Sequence, residues 1–290
     1  MVAPGMLQND AVRKWLDGIE PAWTLLDQPS FNALRRPPSP TEGPIRLAAN
    51  LTCDELRQSA VARNTLILLR AAASGPGLKL TAAGNLSRGV VSEMCGLFTW
   101  PDYDTTQVFQ FNKVVNEADF QPLFFVRHVA QSAQLLRRYK GHLEITPAGR
   151  RMLEPPNMRV LQAVLFHIAF WFLDIGDLGR DLHHGWPQRD VGIVLWSVSV
   201  AANNWEPRER LTRLCTIPIN GVVESAWDTG SYAMEARILR PLLWFGLLEH
   251  SAEEIAEAGI IKRHLYRKTA LFDRFISFEA RIETSGTRRH

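Results

Sequence analysis

Hydrophobic residues recur every three or four positions along much of the chain, which is the period of an α-helix. Residues 120–136 show this pattern clearly, and residues 158–175 and 191–202 are apolar on nearly every side. A helix without a polar face belongs in a protein core. The pattern therefore predicts a mainly α protein whose second half contains central, buried helices.

A short phrase written twice predicts small β elements between the helices. It reads LKLTAAG at 78–84 and LEITPAG at 143–149. Each copy places apolar residues on one strand face and ends in a Thr, whose hydroxyl can accept a backbone N–H in the first turn of a helix. Pro147 suits the first helical position. Each copy thus predicts a strand that ends by starting a helix.

The second copy continues as TPAGRR at 146–151, and a helix, turn, strand and Thr also follow one another at 245–269. These endings resemble those of winged-helix domains, where a G-L-L turn, a β-hairpin wing and L-x-x-T-x-x-G-R lead into the last helix. The resemblance implies two winged-helix-like modules with small β-hairpin wings. We expect an irregular segment and linker at 1–50, a first module at 51–155 and a second module at 156–290.

The composition is that of an ordinary globular protein, with 46% hydrophobic and 22% charged residues. A net charge of +3 permits nucleic-acid contact without arguing for it. Three cysteines without metal-ligand spacing predict a reducing cytoplasm and no disulfide framework. No secretion signal or membrane-spanning run is evident, so we expect a cytoplasmic protein without a membrane partner.

Basic residues cluster around the second copy of the phrase. They are Arg137, Arg138, Lys140, Arg150 and Arg151. On a wing they could form a surface that contacts nucleic-acid phosphates. However, the presumed recognition helix is very apolar, with Arg127 as its only basic residue before Arg137. A winged-helix DNA-binding regulator is therefore the alternative hypothesis.

Signs of catalysis are weak. The chain has no Gly-rich phosphate loop, nucleophile elbow or H-E-x-x-H motif, although a triad of distant residues stays open. The residues that could hold a divalent ion are Asp174, Asp177, Asp181, His183 and His184. A solvated loop explains this short cluster better, so we expect no catalytic residue, cofactor or metal.

The most specific motif is Gln162-Ala163-Val164-Leu165-Phe166, which is similar to the Q-x-x-L-F peptide that docks bacterial proteins on the replication sliding clamp. In that peptide the Gln side chain hydrogen-bonds at the pocket edge while Leu and Phe fill an apolar pocket. The other interpretation is a buried helix, because the motif lies within an apolar segment.

The chain has two wider resemblances, of which the first implies no known chemistry and the second favours docking. Residues 78–153 resemble an uncharacterised bacterial family, often of mobile elements, that carries L-T-x-x-G-N-L, a central F-x-x-V-x-x-E-x-D-F-x-P-L-x-x-x-R and the L-x-x-T-x-x-G-R wing. In general character the chain also resembles SocB-like toxins of bacterial toxin–antitoxin pairs, which stall DNA replication by occupying the sliding clamp. This implies a non-enzymatic toxin that docks through Gln162, Leu165 and Phe166. Its expected partners are the DNA polymerase sliding clamp and an antitoxin or proteolytic adaptor.

Overall fold

A computed structural model describes residues 6–38, 43–103, 115–178, 183, 185–254 and 262–283. The protein is mainly helical, with small antiparallel sheets. It divides into two compact units. We call Ala48–Leu173 the central unit, and Met1–Leu47 together with Asp174–His290 the terminal unit. None of the described helices has the length and hydropathy required to cross a membrane.

The helices and strands are numbered along the chain. The N-terminal part contains α1 (Asp10–Leu16), α2 (Gln28–Leu34) and β1 (Ile45–Leu47). The central unit contains α3 (Cys53–Gln58), α4 (Ala60–Ala73), β2 (Leu78–Lys79), α5 (Arg88–Leu97), α6 (Gln121–Ser132), β3 (Leu136–Tyr139), β4 (His142–Ile145), α7 (Pro147–Met152), α8 (Pro155–Met158), α9 (Leu161–His167) and a π-helical turn at Ile168–Phe172. The rest of the terminal unit contains α10 (Val191–Ala201), β5 (Glu206–Pro207), α11 (Arg208–Cys215), α12 (Asn220–Val223), α13 (Thr229–Met234), a π-helical turn at Glu235–Leu239, α14 (Arg240–Trp244), β6 (Leu248–Glu254), β7 (Lys262–Lys268), α15 (Ala270–Phe275) and β8 (Ile276–Phe278).

Both units contain a three-stranded antiparallel sheet of the same kind. Its strand order is β2-β4-β3 in the central unit and β5-β7-β6 in the terminal unit. In each sheet a hairpin contributes two strands, and the second strand of the hairpin also pairs with a short strand from earlier in the chain. Helices α5 and α6 lie between the short strand and the hairpin in one unit, and helices α11 to α14 do so in the other.

The two copies of the repeated phrase face each other in the central sheet, with Leu78 opposite Leu143. The second copy behaves as predicted, because Thr146 Oγ1 accepts the Gly149 N–H at 3.0 Å and caps α7. The prediction for the first copy is wrong. Thr81 lies in a turn that its backbone closes with Asn85, and α5 begins only at Arg88. Leu80 forms a β-bridge with Leu86, so this strand turns back instead of starting a helix.

The residues just before and just after each hairpin meet at its base, and the two bases are built in the same way. Gln134 and Gly246 both adopt a positive φ, and this ends the preceding helical segment. Thr146 Oγ1 donates to the Gln134 carbonyl at 2.7 Å, and Thr269 Oγ1 donates to the Gly246 carbonyl at 2.8 Å. Each threonine also caps the helix that follows it. The predicted helix 120–136 therefore ends at Ser132, before the first strand of the hairpin.

The extent of the two units differs from the boundaries predicted at 50 and 156. Strand β1 pairs with β8, with Ile45 opposite Phe278, so the N-terminal part belongs to the terminal unit. That part contains two α-helices, and the Trp23 indole N–H donates to the Thr216 carbonyl at 2.9 Å. Helix α9 and its π-helical turn belong to the central unit. Part of the predicted linker, residues 39–42, lies outside the described residues.

A buried ion pair fixes α6 in the central unit. The side chains of Arg127 and Glu117 are 1% and 2% exposed, and Arg127 Nη1 binds Glu117 Oε2. Arg127 Nη2 also donates to the Gly84 carbonyl at 2.7 Å, and the same Glu117 oxygen accepts the Leu86 N–H at 2.6 Å. The pair thus ties α6 to the turn that follows β2.

The segment predicted as one helix over 158–175 is divided. Helix α8 ends at Met158, α9 begins at Leu161, and the π-helical turn continues to Phe172. Phe166 has no exposed surface, and its ring centroid lies 4.4 Å from that of Phe170. Helix α9 packs against α4, so it forms part of the central core as its apolar character indicated.

Replacing Glu117 with Gln removes the counter-charge of the buried Arg127 guanidinium. Breaking a buried ion pair from one side costs about 3–5 kcal/mol, so we expect E117Q to lower the free energy of unfolding by that amount. The control is D54N, which breaks the exposed Arg57–Asp54 pair and should cost about 1 kcal/mol or less. Urea unfolding measures both, and equal effects would contradict the structural role of Glu117.

Phe166→Ala should destabilise the central unit, because it leaves a cavity in a packed core. Such truncations cost about 3–5 kcal/mol. Phe172→Ala is the control, since Phe172 is 66% exposed in the adjoining turn and its truncation should cost far less. Circular dichroism during urea titration compares them. A Phe166→Ala variant as stable as Phe172→Ala would show that α9 is loosely held.

Candidate nucleic-acid interface

The β3–β4 hairpin carries most of the predicted basic residues. Its strands pair from Leu136 opposite Ile145 to Tyr139 opposite His142. Lys140 and Gly141 form the turn, both with positive φ. We call this hairpin together with α7 the basic wing. The turn is short, so the side chains near it are held on a regular, two-stranded support.

Tyr139 lies between two cations on the outer side of the hairpin. The residue is 47% exposed. Arg137 Cζ lies 5.3 Å and Lys140 Nζ 5.2 Å from the centroid of its ring. Both are cation–π distances. Because strand residues alternate between faces, Arg137 and Tyr139 share one face of the hairpin. The result is an exposed aromatic ring flanked by positive charge.

Arg137 has a second partner, and Arg138 lies on the opposite face of the hairpin. Arg137 also meets Glu144 directly across the strands, at 3.3 Å, with 59% of the arginine side chain exposed. An ion pair with that much exposure is weak, so Arg137 can exchange this partner for another anion. Arg138 is exposed but lies on the other strand face, with its guanidinium against Gly84, where an added Cβ would be 2.8 Å from Nη1.

Arg150 and Arg151 are exposed on α7. This helix starts at the end of β4 that is away from the turn, so the two arginines extend the basic wing from its base. Gly149 lets α7 approach the start of the hairpin, since an added Cβ would be 2.2 Å from the Leu135 carbonyl oxygen. The structure thus brings Arg137 and Lys140 together around Tyr139, and it places Arg150 and Arg151 elsewhere on the wing.

Helix α6, the presumed recognition helix, presents a surface without Arg or Lys. Its only such residue is Arg127, and the ion pair with Glu117 buries it. Phe124 and His128 are partly exposed instead, with ring centroids 4.1 Å apart. Helix α6 itself therefore contributes no exposed arginine or lysine to the attraction of an anion.

The predicted clamp-binding residues lie in the core of the central unit. Gln162, Leu165 and Phe166 each have no exposed surface. A docking peptide must insert its Leu and Phe into a pocket of the partner. In this conformation both side chains are already used in packing, so docking would require α9 to leave the core.

The predicted metal candidates are not assembled in the part of the chain that the structure describes. Asp174 Oδ1 binds Arg237 Nη1 at 2.5 Å and accepts the Gly176 N–H at 2.9 Å. Asp181 and His184 lie outside the described residues. Within the described ranges no group of three or more His, Cys, Asp or Glu side chains could hold a metal ion.

The cysteines offer no activated thiol among the buried positions. All three are free, and Cys95 and Cys215 are buried. Burial raises the pKa of the Cys95 thiol to about 11 and also raises the pKa of Cys215. Thiolates are the nucleophilic form, so both thiols remain protonated and unreactive at neutral pH.

Sequence reasoning missed a basic cluster in the terminal unit. Arg208 lies at the start of α11, and Lys262 and Arg263 begin β7. More than fifty positions separate the two segments, and the β5–β7 pairing brings them together. The Lys262-Arg263-His264 run was the available signal, but its counterpart at Arg208 is visible only once the sheet has formed.

Comparison with known proteins places one similarity on the central unit. Residues 57–158 match the family model of the Y4jL N-terminal domain. The uncharacterized protein y4jL of Sinorhizobium fredii is 34% identical over 113 residues, which cover 39% of this chain and 50% of that protein. The chain thus spans about half the length of this curated relative. No solved structure matches the chain.

The matched range contains the whole basic wing and ends before α9. The predicted resemblance to an uncharacterised bacterial family over 78–153 is confirmed at this level, since that segment lies inside the matched range and the relative is an uncharacterised bacterial protein. Residues 57–158 of this chain are therefore similar to a Y4jL N-terminal domain.

Proposed function

We propose that the protein is a non-enzymatic nucleic-acid-binding protein made of two winged-helix modules, and that the basic wing contacts the phosphates of duplex DNA. The observation that carries the proposal is the exposed hairpin, with Tyr139 between Arg137 and Lys140. A wing of this kind suits the backbone of DNA, because phosphate contacts need exposed cations on a rigid support.

The element order supports the winged-helix assignment. In each unit a helix, a short strand, further helices, a hairpin and a final helix follow one another, and the short strand pairs with the second hairpin strand. Winged-helix modules have this order. Function does not follow from a fold alone, so the charge distribution of the wing has to identify the ligand.

Binding led by the wing would be largely independent of base sequence. The commonest base-specific contact is made by an Arg or Lys side chain in the major groove, and the exposed side of α6 has neither because Arg127 is buried. Arg137, Arg138 and Lys140 would contribute mainly phosphate contacts. The protein would then bind many duplexes with similar affinity and depend strongly on salt.

The structure supports docking on the sliding clamp less well than it supports duplex binding. The motif that would carry it is buried, while the basic wing needs no rearrangement to meet a ligand. The toxin function, with the sliding clamp and an antitoxin or adaptor as partners, stays a prediction. Duplex binding replaces it as the first hypothesis.

Replacing Arg137, Arg138 and Lys140 with Ala should weaken duplex binding by the full chain at least tenfold at about 50 mM salt. Each phosphate contact contributes about 0.9 to the slope of log affinity against log salt. The slope should therefore become shallower by about 2 to 3. Fluorescence anisotropy with a labelled duplex of mixed sequence measures both quantities.

The matched control, R13A/R57A/R70A, removes three exposed arginines that are not part of the wing. It changes the net charge equally and should retain most of the affinity and nearly the full salt slope. If the control and the wing variant lose affinity equally, the attraction is general and the wing is not the interface. Absence of duplex binding by the wild-type chain would reject the proposal outright.

A further inference from the structure

The terminal unit contains a cleft of about 1050 Å³. The end of α1, the first turns of α11, Tyr232 of α13 and residues 262–264 of β7 line it. Small-molecule pockets usually measure about 300–1,000 Å³. The cleft is slightly larger than that range, so it can hold several groups of an extended ligand.

The lining of the cleft is predominantly positive. Five Arg and Lys side chains line it, against the carboxylates of Asp17 and Glu209. Arg213, Lys262 and Arg263 make no ion pair with any residue in the described ranges, and Lys262 and Arg263 are exposed. Cations that share a concave surface reinforce one another and concentrate anions there. The ligand chemistry that this cleft favours is therefore anionic, with more than one charge.

A buried carboxylate holds Arg208, one of the arginines of the cleft, in a fixed position. Arg208 Nη1 lies 2.5 Å from Glu235 Oε2, and Glu235 also accepts a hydrogen bond from the Tyr266 hydroxyl at 3.0 Å. Burial raises the pKa of Glu235, but the hydrogen bond from Arg208 and the charge of Arg240 outweigh it and leave the pKa below its usual value. Glu235 thus stays ionised at neutral pH and fixes the guanidinium of Arg208.

The fixed guanidinium supports an exposed aromatic ring. Arg208 Cζ lies 4.5 Å from the centroid of the Tyr232 ring, and Tyr232 is 60% exposed. Tyr232 also lines the same cleft as the unpaired cations Arg213, Lys262 and Arg263. Proteins use an exposed ring and cations in one groove to stack the bases of single-stranded nucleic acid while holding its phosphates. A duplex keeps its bases stacked inside, so it cannot use such a ring.

We propose that this cleft binds single-stranded nucleic acid, with phosphates on Arg213, Lys262 and Arg263 and an unpaired base stacked on Tyr232. The cleft and the basic wing belong to different units. The inference therefore goes beyond duplex binding by the wing and stands on its own contacts.

The test measures binding of the full chain to a labelled single-stranded DNA of about 12 nucleotides by fluorescence anisotropy. K262A/R263A should weaken binding at least tenfold at about 50 mM salt and make the salt slope shallower by about 1.4, since each single-strand contact contributes about 0.7. Tyr232→Ala should weaken binding by about 5- to 150-fold, whereas Tyr232→Phe, which keeps the ring, should bind like the wild type.

Two controls separate this site from general attraction and from the wing. R36A/R46A removes two exposed arginines of the terminal unit outside the cleft and should leave single-strand affinity within about twofold. The triple substitution of Arg137, Arg138 and Lys140 should reduce duplex binding and leave single-strand binding unchanged. Thermal unfolding monitored by circular dichroism confirms that each variant is folded.

A competition experiment distinguishes a site for an oligonucleotide from a site for a small phosphate-containing anion. An unlabelled oligonucleotide should displace the probe at far lower concentration than a mononucleotide or inorganic phosphate at equal phosphate content. Equal competition by a mononucleotide would overturn the proposal in favour of a small-anion pocket. The proposal also fails if the wild type does not bind the single strand, or if R36A/R46A loses as much affinity as K262A/R263A. It fails as well if a folded Tyr232→Ala variant binds with the affinity of the wild type.

Discussion

The threonine hydroxyl at the end of each hairpin is the contact on which the arrangement of both units depends. Thr146 and Thr269 each donate to the carbonyl of a residue with positive φ just before the hairpin, and each accepts from the helix that follows. One hydroxyl therefore closes the base of a hairpin and starts a helix. Because each hairpin is fixed at its base, the paired strands that carry Arg137 in one unit and Lys262 and Arg263 in the other have a fixed support.

Ion pairing decides which cations remain available to a ligand. Arg127 and Arg208 bind buried carboxylates and act as internal supports for α6 and for the cleft. Burying a charge is tolerated only when it is paired and hydrogen-bonded. Lys140 and Lys262, in contrast, lie on hairpins whose surfaces face solvent. The protein thus separates structural arginines from accessible ones, and both proposed interfaces pair accessible cations with an exposed tyrosine.

Several features of the fold follow from neighbouring residues and were predictable. The helical period identified α6, the continuous apolar character of residues 191–202 identified α10, and the Thr-x-x-Gly pattern located the cap of α7. The same pattern misled at Thr81, where the cap of a turn and the cap of a helix use the same side chain. Gly84, with φ +81, allowed the turn there. For the candidate site, the basic residues of the wing were visible in the sequence, but the position of Tyr139 between two of them was not inferred.

The sequence by itself determined the helical content, the capping role of Thr146 and the cations of the wing, because each depends on residues a few positions apart. Only the tertiary structure decided that Gln162, Leu165 and Phe166 are packed inside, since burial depends on which elements cover a helix. The tertiary structure also forms the cleft. Its lining residues lie between Asp17 and His264 in the sequence and come together only when β5 and β7 pair. Charge and shape at such a site arise from contacts between distant segments, which no local pattern records.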